Sequence, residues 1–334
     1  MALHFRALVV DRQEEKVESS VQTVEEARLP EGDLLVKVAY SSINYKDALA
    51  LEPDGRIVGR YPHIPGIDAA GEVVKSSDKR FKPGGKVIVT GYGFGVSQHG
   101  GLSEFARIPA DWAVPLPKGL TEREAMALGT AGLTAAMSVQ KLQDNGISPS
   151  SGPVVVTGAS GGVGTLAVSM LARLGYEVEA VSGKQEAQAR LLALGAARVL
   201  PREELLPEEL RPLDKQRWTG AIDCVGGAML ACVLSRMKYG GAVAACGVTS
   251  GAELPASVFP FILRGVSLHG IDSVWASRGL RVKLWKRMAT DLKPRRLEEL
   301  ISEIELTEVP QAAKELLRGA SSGRKVVVLD SGER

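Results

Sequence analysis

Val154-Val155-Val156-Thr157-Gly158-Ala159-Ser160-Gly161-Gly162-Val163-Gly164 is an apolar strand that runs into a glycine-rich turn, and Thr165 to Leu174 then continues with helical spacing. Against the dinucleotide fingerprint, Ala159, Gly161 and Gly164 take the three glycine positions, with Ala159 a departure. Gly161 and Gly162 let the backbone come close to a pyrophosphate, and Gly164 lets the helix pack tightly on the strand. The free N–H groups of the helix start, with Ser160 and Val163 beside them, then face the phosphates. A plain strand–turn–helix junction can also be rich in glycine. Here the strand before and the helix after supply the context that the fingerprint requires.

Outward from this turn, short apolar strands alternate with helical stretches. Val178–Val181, Arg198–Leu200, Ala221–Cys224, Ala242–Ala245 and Val266–His269 read as strands, with helices such as Glu186–Leu194 and Met229–Met237 between them. Strands separated by helices imply right-handed crossovers and a doubly wound parallel sheet of the Rossmann kind. An NAD-binding sheet carries a carboxylate at the tip of its second strand for the ribose 2′-hydroxyl. Here that tip is Ser182-Gly183-Lys184, and Glu179 lies inside the strand, pointing to a face. Arg202 follows the third strand, which lies beside the second in such a sheet. Each cation alone reads as a solvated surface residue. Together at adjacent strand ends, Ser182, Lys184 and Arg202 favour a 2′-phosphate, hence NADP(H).

Toward the N-terminus the chain turns β-rich, with strands at Ala7–Val10, Leu34–Tyr40, Gly71–Val74 and Lys86–Thr90 separated by Pro62, Pro65, Gly66 and Pro83-Gly84-Gly85. Thr121-Glu122-Arg123-Glu124 is a capping box, so a helix starts there. Near the other end Arg324–Leu329 is again a strand, expected to return to the first domain because the second already has its strands.

Composition narrows the function classes. The 334 residues carry 41 basic and 39 acidic side chains, a formal charge of +2 that gives no electrostatic reason to expect nucleic acid. The longest apolar stretch, around Ala125 to Val139, is broken by Gly129, Thr130, Gly132 and Thr134 and is too short to span a bilayer. No signal peptide is visible, and three cysteines suit a reducing cytoplasm better than a disulfide framework. Cys224, Cys232 and Cys246 read as small buried hydrophobes, and His4, His63, His99 and His269 are scattered with no pair at helical or turn spacing. Nothing in this pattern supports a zinc site or a hydrolase with a nucleophile elbow.

Four motifs, Ser42-Ile43-Asn44-Tyr45-Lys46-Asp47, Pro65-Gly66-Ile67-Asp68-Ala69-Ala70-Gly71, Gly129-Thr130-Ala131-Gly132-Leu133-Thr134-Ala135 and the phosphate turn, resemble the zinc-free quinone-oxidoreductase branch of the medium-chain dehydrogenases. More narrowly, Asn44–Ala50, Val181–Lys184, Val199–Arg202 and Pro260–Val266 resemble the bacterial NADPH-dependent acrylyl-coenzyme A reductases. Zinc-dependent relatives carry Cys where Asn44 stands and a His-Glu pair near Ile67-Asp68. The resemblance implies a GroES-like β-rich catalytic domain over 1–124, a Rossmann domain over 125–299 and a return to the first over 300–334, with a cofactor cleft between domains. It implies a small-molecule substrate, an enone or acyl-coenzyme A thioester, and a homodimer. Thr130, Val248, Ile262 and Ser273 correspond to cofactor positions, the last three lining the nicotinamide side or, alternatively, packing their own loops. Tyr45 stands as proton donor or as orienter of cofactor and substrate, with an ordinary core aromatic as the alternative. Asn44 would hold the nicotinamide ribose or the substrate carbonyl; Asp68 would orient them, or merely cap its turn, and Arg324 would pair with Asp68. A quinone or alkenal reductase, or a protein that binds NADPH without turnover, would use the same fold.

Overall fold

The computed structural model describes residues 3–330 and resolves into two compact units. One runs to Thr130 and takes in Val274–Ala289 and the chain from Leu297; the other holds Ala131–Ser273 and Thr290–Arg296. Helix Arg278–Met288 therefore counts with the first unit, although it lies inside the 125–299 span expected for the second.

The second unit is built on a six-stranded, wholly parallel sheet. Its strands lie in the order Arg198–Pro201, Val178–Ser182, Val154–Val156, Trp218–Asp223, Met237–Ala245, Ser267–Gly270. In chain sequence this is third, second, first, fourth, fifth, sixth, the order of a doubly wound dinucleotide-binding sheet. The direction of winding reverses between Val154–Val156 and Trp218–Asp223. Both faces are covered, so the strands read as apolar runs: Val154, Val155, Val156, Ala221 and Ile222 are fully buried. Glu179 is the exception that the sequence had turned toward a face. It is buried there, accepting from Trp218 Nε1 at 2.7 Å and pairing with Arg217 at 2.8 Å.

The first unit centres on a seven-stranded mixed sheet, in the order Ile301–Glu305, Arg324–Val328, Leu34–Ser42, Asp68–Ser76, Lys86–Thr90, Ala113–Pro115, with Phe105–Ile108 also pairing on Leu34–Ser42. The strand Arg324–Val328 does return to it, antiparallel to Leu34–Ser42 with Val326 opposite Ser42. Leu34, Val36, Val73, Val87 and Val327 fill the core beneath. A hairpin of His4–Gln13 and Lys16–Glu25 completes the unit, its second strand mostly polar, with Val17, Val21 and Val24 the apolar residues. His63 and His99, read as scattered, are brought together here, with ring centroids 5.3 Å apart. Distant loops converge on that point, so sequence spacing carried no sign of it.

Helix Glu122–Asp144 starts on the expected box: Thr121 Oγ1 accepts from the Glu124 N–H at 3.1 Å, and Glu124 accepts from the Thr121 N–H at 2.9 Å. It is not continuous. Gly129, at φ 51° and ψ −152°, breaks it, and the break shapes the site.

Candidate active site

A helix break leaves backbone groups without their usual partners. At Gly129 these groups find charged side chains of the neighbouring strands instead. The Thr130 N–H donates to Asp68 Oδ2 at 2.9 Å, and the Ala127 carbonyl accepts from Arg324 Nε at 2.9 Å. Gly129 has no room for a side chain, since a Cβ would lie 2.4 Å from Asp68 Oδ2 and 3.0 Å from Ser42 Oγ. The break thus offers an N–H to a buried carboxylate and a carbonyl to a buried guanidinium.

Asp68, the first residue of its strand, is fully buried. Its Oδ2 accepts from Ser42 Oγ at 2.8 Å and Asn44 Nδ2 at 2.7 Å, and its Oδ1 from Thr130 Oγ1 at 2.6 Å. Arg324 Nη2 donates to Ser42 Oγ at 3.3 Å and to Asn44 Oδ1 at 3.2 Å. The expected direct pairing of Arg324 with Asp68 is therefore replaced by two shared intermediaries. Burial lowers Arg324 from its ordinary value while Asp68 and Asp47 pull it back up. Asn44 is engaged at both ends of its amide, its Nδ2 also reaching Asp47 Oδ2 at 3.3 Å.

Asp47 belongs to the same motif as Asn44 and Tyr45, and the resemblance implies no role for it. It is a buried residue of the short helix Tyr45–Leu49, where it accepts from the Asn44 N–H and the Ile67 N–H, each at 2.8 Å. Burial, and then the neighbouring Asp68 carboxylate, push it up to about 7. The Asn44–Asp47 spacing of N-cap and third helical residue is the signal that would have found it. Tyr45 opens that helix and is 48% exposed, so the core-aromatic alternative falls. The phenol is the exposed member of this group; Asn44, Asp68 and Arg324 are buried behind it.

In the second unit Gly161 is the N-cap of helix Gly162–Arg173, with no side chain covering the N–H groups of its first turn. A Cβ on Gly164 would strike the Gly158 carbonyl at 2.3 Å, the close packing expected of the third fingerprint glycine. Ser160 is nearly buried against this turn. At the neighbouring strand ends Ser182 stands opposite Pro201, the Ser182 hydroxyl accepts from the Lys184 N–H at 3.0 Å, and a Cβ on Gly183 would lie 3.7 Å from the Arg202 guanidinium carbon. Ser182, Gly183, Lys184 and Arg202 are thus gathered at one edge, a donor set suited to a phosphate. Val248 and Ile262 are each 68% exposed. Ser273 is nearly buried, its hydroxyl accepting from Thr134 Oγ1 at 2.8 Å. Thr130 counts with the first unit and directs both its N–H and its hydroxyl at Asp68.

The cysteines depart from expectation. Cys232 is buried in helix Gly227–Ser235, but Cys224 and Cys246 are half-buried just beyond strand ends. Among the described residues no group of three or more His, Cys, Asp or Glu is placed to hold a metal ion, and no helix is long and apolar enough to cross a membrane.

Comparison with known proteins places this geometry. Residues 30–118 match the alcohol dehydrogenase GroES-like domain, and residues 162–293 match the family described as zinc-binding dehydrogenase. Acrylyl-CoA reductase AcuI of Ruegeria pomeroyi is 50% identical over 325 residues, which is 97% of this chain and 98% of that protein. The crystal structure of Escherichia coli K-12 YhdH with bound NADPH superposes with a TM-score of 0.94 at 50% identity, covering 97% of this chain and 99% of that one. Bacillus subtilis yhfP with NAD bound gives 0.96 at 51%, covering 98% and 100%.

Proposed function

Because the chain belongs to the zinc-independent, quinone-oxidoreductase-like branch of the medium-chain dehydrogenases and reductases, we propose that it reduces the carbon–carbon double bond of an acyl-coenzyme A thioester with NADPH, turning acrylyl-coenzyme A into propionyl-coenzyme A. At the coarser level it is an NADPH-dependent oxidoreductase acting on an activated alkene, acyl-coenzyme A or quinone-like substrate. The observation that carries the finer reading is the full-length similarity to an acrylyl-CoA reductase.

When bound, NADPH would supply the hydride for such a reduction. The chain's own residues do the rest. The uncovered N–H groups that open helix Gly162–Arg173, beside Gly161 and Gly162, hold the pyrophosphate. Ser182, Lys184 and Arg202 hold the 2′-phosphate. Val248 and Ile262 offer exposed apolar surface to the nicotinamide side.

Reduction builds negative charge on the thioester oxygen and leaves the α-carbon in need of a proton. Tyr45 is the exposed donor for one of these tasks, and its position is fixed from behind. Asn44 directs both ends of its amide into the protein, so it acts as a positioning residue that anchors the helix Tyr45 opens. Asp68 and Arg324 position Asn44 in turn. Placement of this kind supports catalysis by orientation.

The test follows the absorbance loss of NADPH, then NADH, with acrylyl-coenzyme A and a simple quinone as parallel acceptors. Rapid loss of NADPH with the thioester is the expected result. Loss with the quinone alone would move the protein to quinone reduction; no loss with either would leave a nucleotide-binding protein.

A further inference from the structure

Cys224 and Cys246 are neighbours at the end of two parallel strands. Asp223 pairs with Ala245, so the two cysteines are the next residues out, and the Cys246 N–H still donates to the Asp223 carbonyl at 2.9 Å. Adjacent strands run about 4.8 Å apart, which puts their Cα atoms inside the window of roughly 4.4–6.8 Å that a disulfide spans. The sulfurs are 3.8 Å apart and both residues are half-buried, unlike the buried Cys232. Closing to an S–S bond of about 2.05 Å is a side-chain movement rather than a rearrangement of the sheet.

Their place in the unit gives the pair a consequence. The strand ending at Asp223 flanks the point where the winding of the sheet reverses, outside which dinucleotides bind. A Cβ added to Gly158 in the phosphate turn would lie 3.4 Å from Cys224 Cβ, so Cys224 forms part of the wall of that turn. Beyond Cys246 the chain carries Val248, whose Cα would be 3.4 Å from a Cβ on Gly226.

We infer that Cys224 and Cys246 form a modification site for low-molecular-weight disulfides, which close the pair into an intrachain disulfide and weaken NADPH binding. The effect on NADPH rests on the cofactor reading above; the dithiol itself does not. Cys246 as thiolate attacks the reagent, forms a mixed disulfide and expels one thiolate. Cys224 then gives up its proton and attacks Cys246 Sγ, expelling the second. The two cysteines lose two electrons, the reagent gains them, and both protons end on the released thiols. The Cys224 thiol is pushed up by its hydrogen bond with Cys246 and by burial, which makes it the second to react; the first cause is gone once Cys246 is capped.

The experiment treats the reduced full-length protein with oxidised glutathione, with and without NADPH, and follows intact mass, mapped peptides and NADPH affinity. We expect the mass to fall by about 2 Da, one peptide linking 224 to 246, and slower closure when NADPH is bound. NADPH affinity should fall about tenfold and return with dithiothreitol. Cys232, buried with its Sγ 2.7 Å from the Leu205 carbonyl, should stay unmodified. Cys246→Ala should show no loss of mass. Glutathione adducts without closure, or an unchanged mass in the wild-type protein, would overturn the dithiol. Closure with unaltered NADPH affinity would overturn the coupling. Failure of the reduced protein to bind NADPH at all would instead remove the cofactor reading, with the peptide map deciding the dithiol separately.

Discussion

Asp68 and Arg324 face each other through two residues that both of them hold: Ser42 and Asn44 each donate to the carboxylate and each accept from the guanidinium. Removing either charge leaves the other buried beside half-satisfied partners, whereas removing both removes the conflict. Asp68→Asn and Arg324→Met should each cost roughly 3 kcal/mol. The double variant should cost at least about 1 kcal/mol less than the sum of the two. Urea midpoints of the four proteins test this, and strict additivity would sink the shared network.

Gly129→Ala should be among the most damaging single-methyl changes in the chain. It puts a Cβ 2.4 Å from Asp68 Oδ2 at a residue held at φ 51°. A loss of about 3 kcal/mol, with turnover falling in step, is expected from strain and displacement together. Thermal melts read it directly, and a variant as stable as the parent would show that the break can relax.

Tyr45→Phe separates chemistry from folding. The ring is half exposed, so the melting temperature should barely move, while turnover falls by about two orders of magnitude if the phenol donates to the reacting substrate. Full turnover in this variant would remove Tyr45 as donor and leave its ring a positioning role.

Arg202→Ala should raise the KM for NADPH about tenfold and leave that for NADH nearly unchanged, because only the former carries the 2′-phosphate proposed to meet Arg202 beside Gly183. Equal changes for both cofactors would mean that Arg202 acts on the fold of its strand end.

A buried group and a half-buried one in the first unit, Asp47 and His99, should give opposite pH slopes. Asp47 is raised from 3.8 to about 7, so the folded state holds a proton that the unfolded chain has lost. Its contribution is full below about pH 4 and disappears as pH rises through 7. His99 is lowered from 6.5 to about 4, first by burial and then by His63. Its contribution is full above pH 6.5 and disappears as pH falls through about 4. Between these limits the two oppose each other. Relative to the parent, stability should gain with rising pH in Asp47→Asn and gain with falling pH in His99→Gln, measured by chemical denaturation at several pH values. A parallel profile in either variant would dismiss that group.

Much of this was legible because it is local. The strand Lys86–Thr90 has the bounds read from the sequence, a short apolar run of Val87, Ile88 and Val89 between Lys86 and Thr90, and Ser182 and Arg202 lie at adjacent strand ends as their spacing predicts. The phosphate turn was readable for the same reason, its strand, glycines and helix being contiguous. The polar network was only half readable. Asn44 and Asp68 stood out by what they replace in zinc-bearing relatives, but Asp47 gains its role from the Ile67 N–H, and Gly129 looked like an interruption in an apolar run. His63 with His99, and Cys224 with Cys246, meet through folding at separations that no helical or turn periodicity samples. The polar strand Lys16–Glu25 escaped because it has almost no buried face to announce itself.

The return of Arg324–Val328 to lie against Leu34–Ser42 fixes an order of events during synthesis. A ribosome delivers Leu34–Ser42 well before its neighbour, with the whole stretch Ala131–Ser273 between them, so this pairing of the first sheet waits while that stretch is already free to fold. Arg324 is the first residue of that late strand, so Ser42 and Asn44 remain without their cation until the strand docks. The nascent chain can therefore complete its parallel sheet before the buried network of Asp68 and Arg324 closes, so the two units need not mature together.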